Sequence, residues 1–74
     1  MKIRLSRKIV GHEIVYHPVN SSREYNGIIV AYDRTVDPDF VSVYCLQKRK
    51  LFDVHRDDIV CIGEIVRLRN EIKL

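Results

Sequence analysis

The 74-residue sequence predicts an all-β domain, more narrowly a five-stranded, partly open barrel. Runs rich in Val, Ile, Tyr and Phe recur at the spacing of about 8–12 residues that marks small barrels and sandwiches. Clusters of turn residues separate them: Asn20-Ser21-Ser22, Asp37-Pro38-Asp39 and Gln47-Lys48-Arg49-Lys50. A chain this short forms one domain, and closure is its economical way to hide sheet edges. The domain is expected to span residues 1–74, with its core in 9–62 and residues 64–74 as a C-terminal extension.

The elements follow in order. Ile9 to His17 is β-branched and aromatic and reads as a first strand ended by Pro18. Val19 to Glu24 is a polar loop. Gly27 opens Ile28-Ile29-Val30-Ala31-Tyr32, the most β-prone segment of the chain. Asp33 to Asp39 is a second loop. Phe40 to Leu46 alternates, with Val41, Val43 and Cys45 on one face and Phe40, Ser42 and Tyr44 on the other. After a tight polar turn, Leu51 to His55 returns with Phe52 and Val54 on one face. Arg56-Asp57-Asp58 reads as a single helical or 3₁₀ turn, with the two aspartates as its caps. Ile59 to Ile62 is a last short strand, stopped by Gly63.

The tail fits two patterns. As a strand it places Val66, Leu68, Ile72 and Leu74 on one face; as a helix it aligns Ile65, Leu68 and Ile72 and pairs Arg67 with Glu71. Ile3 and Leu5 alternate with Lys2 and Arg4, which leans toward a strand pairing of the two termini.

Composition excludes several classes. With 46% hydrophobic and 31% charged residues the chain is neither a disordered tail nor a membrane protein. Its longest apolar stretch, Ile28 to Tyr32, is far short of a span. The length excludes a multidomain enzyme and a nucleotide-binding βαβ pair. Lys2, Arg4, Arg7 and Lys8 precede no apolar signal-peptide segment, so a cytoplasmic, intracellular location is expected. Cys45 and Cys61 lie in strand-like runs and read as free core thiols in a reducing compartment. The net charge of +3 hides blocks: basic over 1–8, acidic over 31–45, basic over 46–56, acidic over 57–64 and basic over 65–74.

Four segments carry a resemblance: Gly11-His12-Glu13-Ile14-Val15-Tyr16, Tyr25-Asn26-Gly27-Ile28-Ile29-Val30, Val41-Ser42-Val43-Tyr44 and Asp57-Asp58-Ile59-Val60. The pattern resembles SH3-like barrels of the KOW and Tudor type: a Gly-x-x-aliphatic first strand, a Gly opening the second and an acidic turn before the last. The first half is also similar to the hemimethylated-DNA-binding family, through Gly11, Ile14, Tyr25, Gly27, Ile28, Ile29 and Asp33. The resemblance covers roughly residues 10–62. It implies a binding role toward nucleic acid, a nucleoprotein or a protein peptide, and the fold alone does not choose among them.

No catalytic or metal constellation emerges. His12-Glu13 and His17 miss the spacing of a zinc-protease motif by one residue and lie in a strand, where two histidines cannot share a helical face. Asp33, Asp37 and Asp39 lack the spacing of a calcium loop. Cys45, His55 and Cys61 fall short of the four closely paired ligands of structural zinc. The three glycines are isolated, so no phosphate loop exists. No cofactor is expected.

The functional expectation is therefore a non-enzymatic module that contacts nucleic acid or a nucleoprotein through the basic hairpin Lys48-Arg49-Lys50. Arg56 and Arg34 are expected to flank that hairpin, and Tyr44 or Phe40 to stack or pack nearby, with Tyr16, Tyr25 and Tyr32 as further rings. The competing expectation is a protein-interaction module or small regulator of a larger machine. It would dock on a partner or a second copy through Val66, Leu68, Ile72 and Leu74.

Overall fold

The structure is a computed structural model and describes residues 3–66. Five strands form one antiparallel sheet: β1 (His12–Tyr16), β2 (Tyr25–Ala31), β3 (Phe40–Cys45), β4 (Lys50–His55) and β5 (Ile59–Ile65). Their spatial order is β4-β3-β2-β1-β5, so three successive hairpins are followed by a return of the last strand to the first. The sheet curls into a partly open barrel, with β4 and β5 as its outer strands. No helix among the described residues is long and apolar enough to cross a membrane.

The alternation read from the sequence sets the faces. Val41, Val43 and Cys45 of β3 are buried, while Phe40, Ser42 and Tyr44 face outward. They join Ile14, Tyr16, Ile29, Val54 and Ile59 in one core cluster. Among the described residues, no polar or charged residue is buried. Gly27 faces this core with Cys45 opposite. A Cβ there would overlap Val43 Cγ1 and sit 2.9 Å from the Tyr44 carbonyl oxygen, so β2 and β3 approach more closely than any side chain allows.

Five local expectations need correction. The first strand begins at His12 rather than Ile9, because residues Arg7–Ile9 form a 3₁₀ turn capped by the Ser6 side chain. Gly11 then redirects the chain with φ 94, donates its N–H to the Ile29 carbonyl and accepts from the Val66 N–H, each at 2.7 Å. Residues 3–6 are not a strand; Ile3 and Leu5 instead pack, half-buried, against the core. Gly63 does not stop the last strand, which runs to Ile65. Register shifts against β1 place one extra β5 residue between Ile62 and Ile65 and another between Ile59 and Cys61, and a glycine in such a bulge is tolerated. Cys45 is buried as expected, but the register turns Cys61 outward opposite Val15, where it is exposed. The cap of the second 3₁₀ turn (Arg56–Asp58) is not an aspartate: His55 Nδ1 accepts from the Asp57 N–H at 3.0 Å.

Of the tail, Glu64 and Ile65 complete β5 and Val66 is half-buried beside Gly11. Leu68, Ile72 and Leu74 lie outside the described residues, as does the choice between strand and helix there.

Candidate functional site

The hairpin joining β3 to β4 is anchored on β2 by side chains that are not cationic. Gln47 Oε1 accepts from the Asn26 N–H at 2.9 Å, and Gln47 Nε2 donates to Asn26 Oδ1 at 3.2 Å. The Leu46 N–H donates to the Asn26 carbonyl at 2.9 Å, and the Arg49 N–H closes the turn on the Cys45 carbonyl at 2.8 Å. Arg49 sits in the left-handed region at φ 55. Lys48, Arg49 and Lys50 are all exposed.

The Lys48 ammonium folds back over two rings. Its Nζ lies 4.9 Å from the Tyr25 ring centroid and 5.4 Å from that of Phe52. Both rings share the inward face of their strands, where they are half-buried and pack against the core. Tyr16 continues the aromatic surface, its ring centroid 5.9 Å from that of Tyr25. Burial, and then the neighbouring Cys45 thiol, push the Tyr16 phenol well above the usual tyrosine range. With Pro18 and Asp58 these residues line a groove of about 200 Å³. Asp53 also borders it, but its Oδ1 accepts from Ser42 Oγ at 3.4 Å on the outer face. Pockets for drug-sized ligands usually measure about 300–1,000 Å³, so this groove is sized for a single side chain.

The other predicted cations are elsewhere. Arg34 is in the β2–β3 loop, at the opposite end of β3 from Lys48; six residues of strand separate the ends by about 20 Å. There, with Arg7, Tyr32, Asp33 and Thr35, it lines a separate cavity of about 380 Å³. Thr35 donates its N–H (2.9 Å) and hydroxyl (2.6 Å) to Asp33 Oδ1. Those bonds, with a smaller contribution from Arg7, hold the Asp33 carboxyl below the usual carboxylate range. Arg56 occupies the same distant end and is engaged: Nη2 donates to the Pro38 carbonyl at 2.8 Å, and Nε lies 3.1 Å from Asp39 Oδ1. Neither arginine flanks the hairpin. Tyr44 is also separated from the groove, because it faces outward in register with Ile28 and Leu51. Phe40 likewise faces outward, its ring 4.9 Å from that of His55.

The histidines make backbone contacts. His12 Nδ1 is 2.8 Å from the Gly63 carbonyl oxygen and His17 Nε2 is 2.7 Å from that of Ser21. Among the described residues, no group of three or more His, Cys, Asp or Glu side chains is placed to hold a metal ion. Sequence reasoning had assigned Phe52 to a strand face and Tyr25 to a stacking surface without joining them. The available signal was parity: Tyr25 shares the inward face of Gly27, and Phe52 that of Val54.

No protein-family model matches the chain, and no curated protein or solved structure matches it.

Proposed function

We propose that the chain is a non-enzymatic binding module, an SH3-like small barrel that seats an extended segment of a partner protein in the Tyr25–Phe52 groove. The meander of hairpins, the return of β5 to β1 and the 3₁₀ turn before β5 support the SH3-like reading. One observation carries the functional reading: the half-buried aromatic rings of Tyr25 and Phe52, with Pro18 and Lys48 beside them, line a groove the size of one side chain. Aromatic surface of this kind anchors protein interfaces. The free thiols of Cys45 and Cys61 support a reducing, cytoplasmic setting.

A second reading rests on a different observation. Arg49 and Lys50 are exposed at the hairpin tip and fit contacts to a nucleic-acid phosphate backbone. The cations expected to enlarge that surface are at the other end of the sheet, and Arg56 is paired with Asp39.

The two readings separate in a ¹⁵N–¹H NMR titration with a degenerate dodecapeptide library and, in parallel, single- and double-stranded oligonucleotides at 50 and 200 mM salt. Partner-segment binding moves the amides of Tyr25, Phe52 and Asp58 with the peptides. Oligonucleotide shifts confined to 48–50 and lost steeply with salt would replace the proposal with the phosphate reading. Peptide-free spectra throughout, with no groove shifts, would sink it.

A further inference from the structure

The end of the barrel away from the Tyr25–Phe52 groove carries a larger cavity, lined from two distant parts of the chain. Leu5, Ser6 and Arg7 come from the segment before β1, and Tyr32 to Thr35 from the β2–β3 loop. The space between them is about 380 Å³. Small-molecule sites usually measure about 300–1,000 Å³, so this one is large enough for a whole ligand. We propose that the cavity binds a small organic oxyanion, a phosphate or carboxylate borne on a flat apolar body. Arg7 and Arg34 hold the oxyanion, and Leu5 and Tyr32 lie along the body. This site is independent of the groove and of the hairpin cations at the other end.

Arg56, at the same end, is engaged by Pro38 and Asp39. Among the described residues, Arg7 and Arg34 form no such ion pair. The backbone that carries them is ordered by bonds that leave both guanidiniums out. The Ser6 side chain accepts from the Lys8 N–H at 3.3 Å, and the Ser6 carbonyl from the Ile9 N–H at 3.2 Å. Across the cavity the Asp33 carbonyl accepts from the Val36 and Asp37 N–H groups at 3.1 and 3.0 Å. The Tyr32 hydroxyl donates to the Pro38 carbonyl at 3.1 Å. The walls are therefore set before a ligand arrives, and the guanidiniums are the part that adjusts. Each presents a planar fork of donors that matches paired oxygens of a phosphate or carboxylate. Leu5 and Tyr32 are half-buried against the core and give the same cavity an apolar side. The Asp33 carboxylate borders it too, close enough to Arg7 for that charge to favour its ionised form. Two arginines against one carboxylate leave the lining positive. Asp33 thus opposes the anion, and removing its charge strengthens binding.

The test is a ¹⁵N–¹H NMR titration with phenyl phosphate, benzoate, benzyl alcohol and inorganic phosphate, at neutral pH and ionic strength matched with NaCl. Phenyl phosphate or benzoate should move the amides of 5–7 and 32–35 and the ring protons of Tyr32. Whichever of the two binds more tightly identifies the head group. Benzyl alcohol lacks the charge and inorganic phosphate lacks the body, so each should bind about fivefold or more weakly than the better anion. Arg7→Gln and Arg34→Gln should each weaken that anion about two- to fivefold, and Asp33→Asn, which keeps an oxygen for the Thr35 bonds, should tighten it by a similar factor. Lys50→Gln removes one positive charge at the other end of the sheet and should change affinity less. Benzyl alcohol binding as tightly as the better anion would overturn the inference and leave an apolar cavity. Inorganic phosphate binding as tightly would overturn it as ordinary ion attraction. Affinity unchanged by the three variants at the cavity, or lost to Lys50→Gln instead, would do the same. Absence of any shift at tens of millimolar ligand would remove the site.

Discussion

Gly27 is the residue on which the approach of two strands depends. Its φ is ordinary, so the constraint is space: the Val43 methyl and the Tyr44 carbonyl occupy the volume of a Cβ. Gly27→Ala must move β3 or force Val43 off its rotamer, and overpacking of that kind costs about 1–3 kcal/mol. Thermal unfolding of the variant should fall by roughly 4–8 °C per kcal/mol for a domain of this size. An unchanged midpoint would mean that β2 and β3 can separate freely. Gly11 is a different case, since its φ of 94 is a conformation that side chains resist. Gly27 stands out in the sequence as a strand opener and Gly11 as part of a first-strand pattern, but neither physical reason is visible there. Close approach and positive φ are properties of neighbours brought in from afar.

At the scale of elements, the strand faces were legible and the connections were not. Alternation over 40–46 and 51–55 is written in the residues themselves, and the observed burial of Val41, Val43, Cys45 and Val54 follows it. Cys61 escaped the same logic because bulges in β5 shift its register, and a bulge leaves no mark on composition. The groove was half legible: each ring was in view, but the fold-back of Lys48 depends on the turn that Gln47 ties to Asn26. Arg56 is the clearest loss, read as a free cation when it staples the β2–β3 loop to the end of β4. Arg56→Ala should therefore destabilise the fold by about 1 kcal/mol, the worth of a hydrogen bond with a charged donor less its solvent screening. Amide exchange across 32–39 should accelerate with it. Arg34→Ala, on the same loop, should leave both unchanged, and equal effects from the two would refute the staple.

For the molecule as a whole, the buried phenol of Tyr16 links stability to alkaline pH. The folded chain holds that proton to higher pH than the unfolded chain, where tyrosine titrates near pH 10. Stability is therefore complete below that value and declines as pH rises above it. Absorbance at 295 nm should report one tyrosinate that forms only as the β-sheet circular dichroism is lost, and Tyr16→Phe should move that loss to higher pH. A variant that unfolds at the same pH as the parent would assign the alkaline transition to other groups. The return of β5 to β1 has a further consequence, in time rather than in energy. β1 to β4 pair with strands nearby in the chain, but His12 meets Gly63 from 51 positions away. At synthesis rates of about 5–20 residues per second, the edge of β1 waits roughly 3–10 s on the ribosome for its second neighbour. During that interval β2, β3 and β4 are added one after another while one flank of β1 stays without a strand, and it is then that β1 is most accessible to a chaperone.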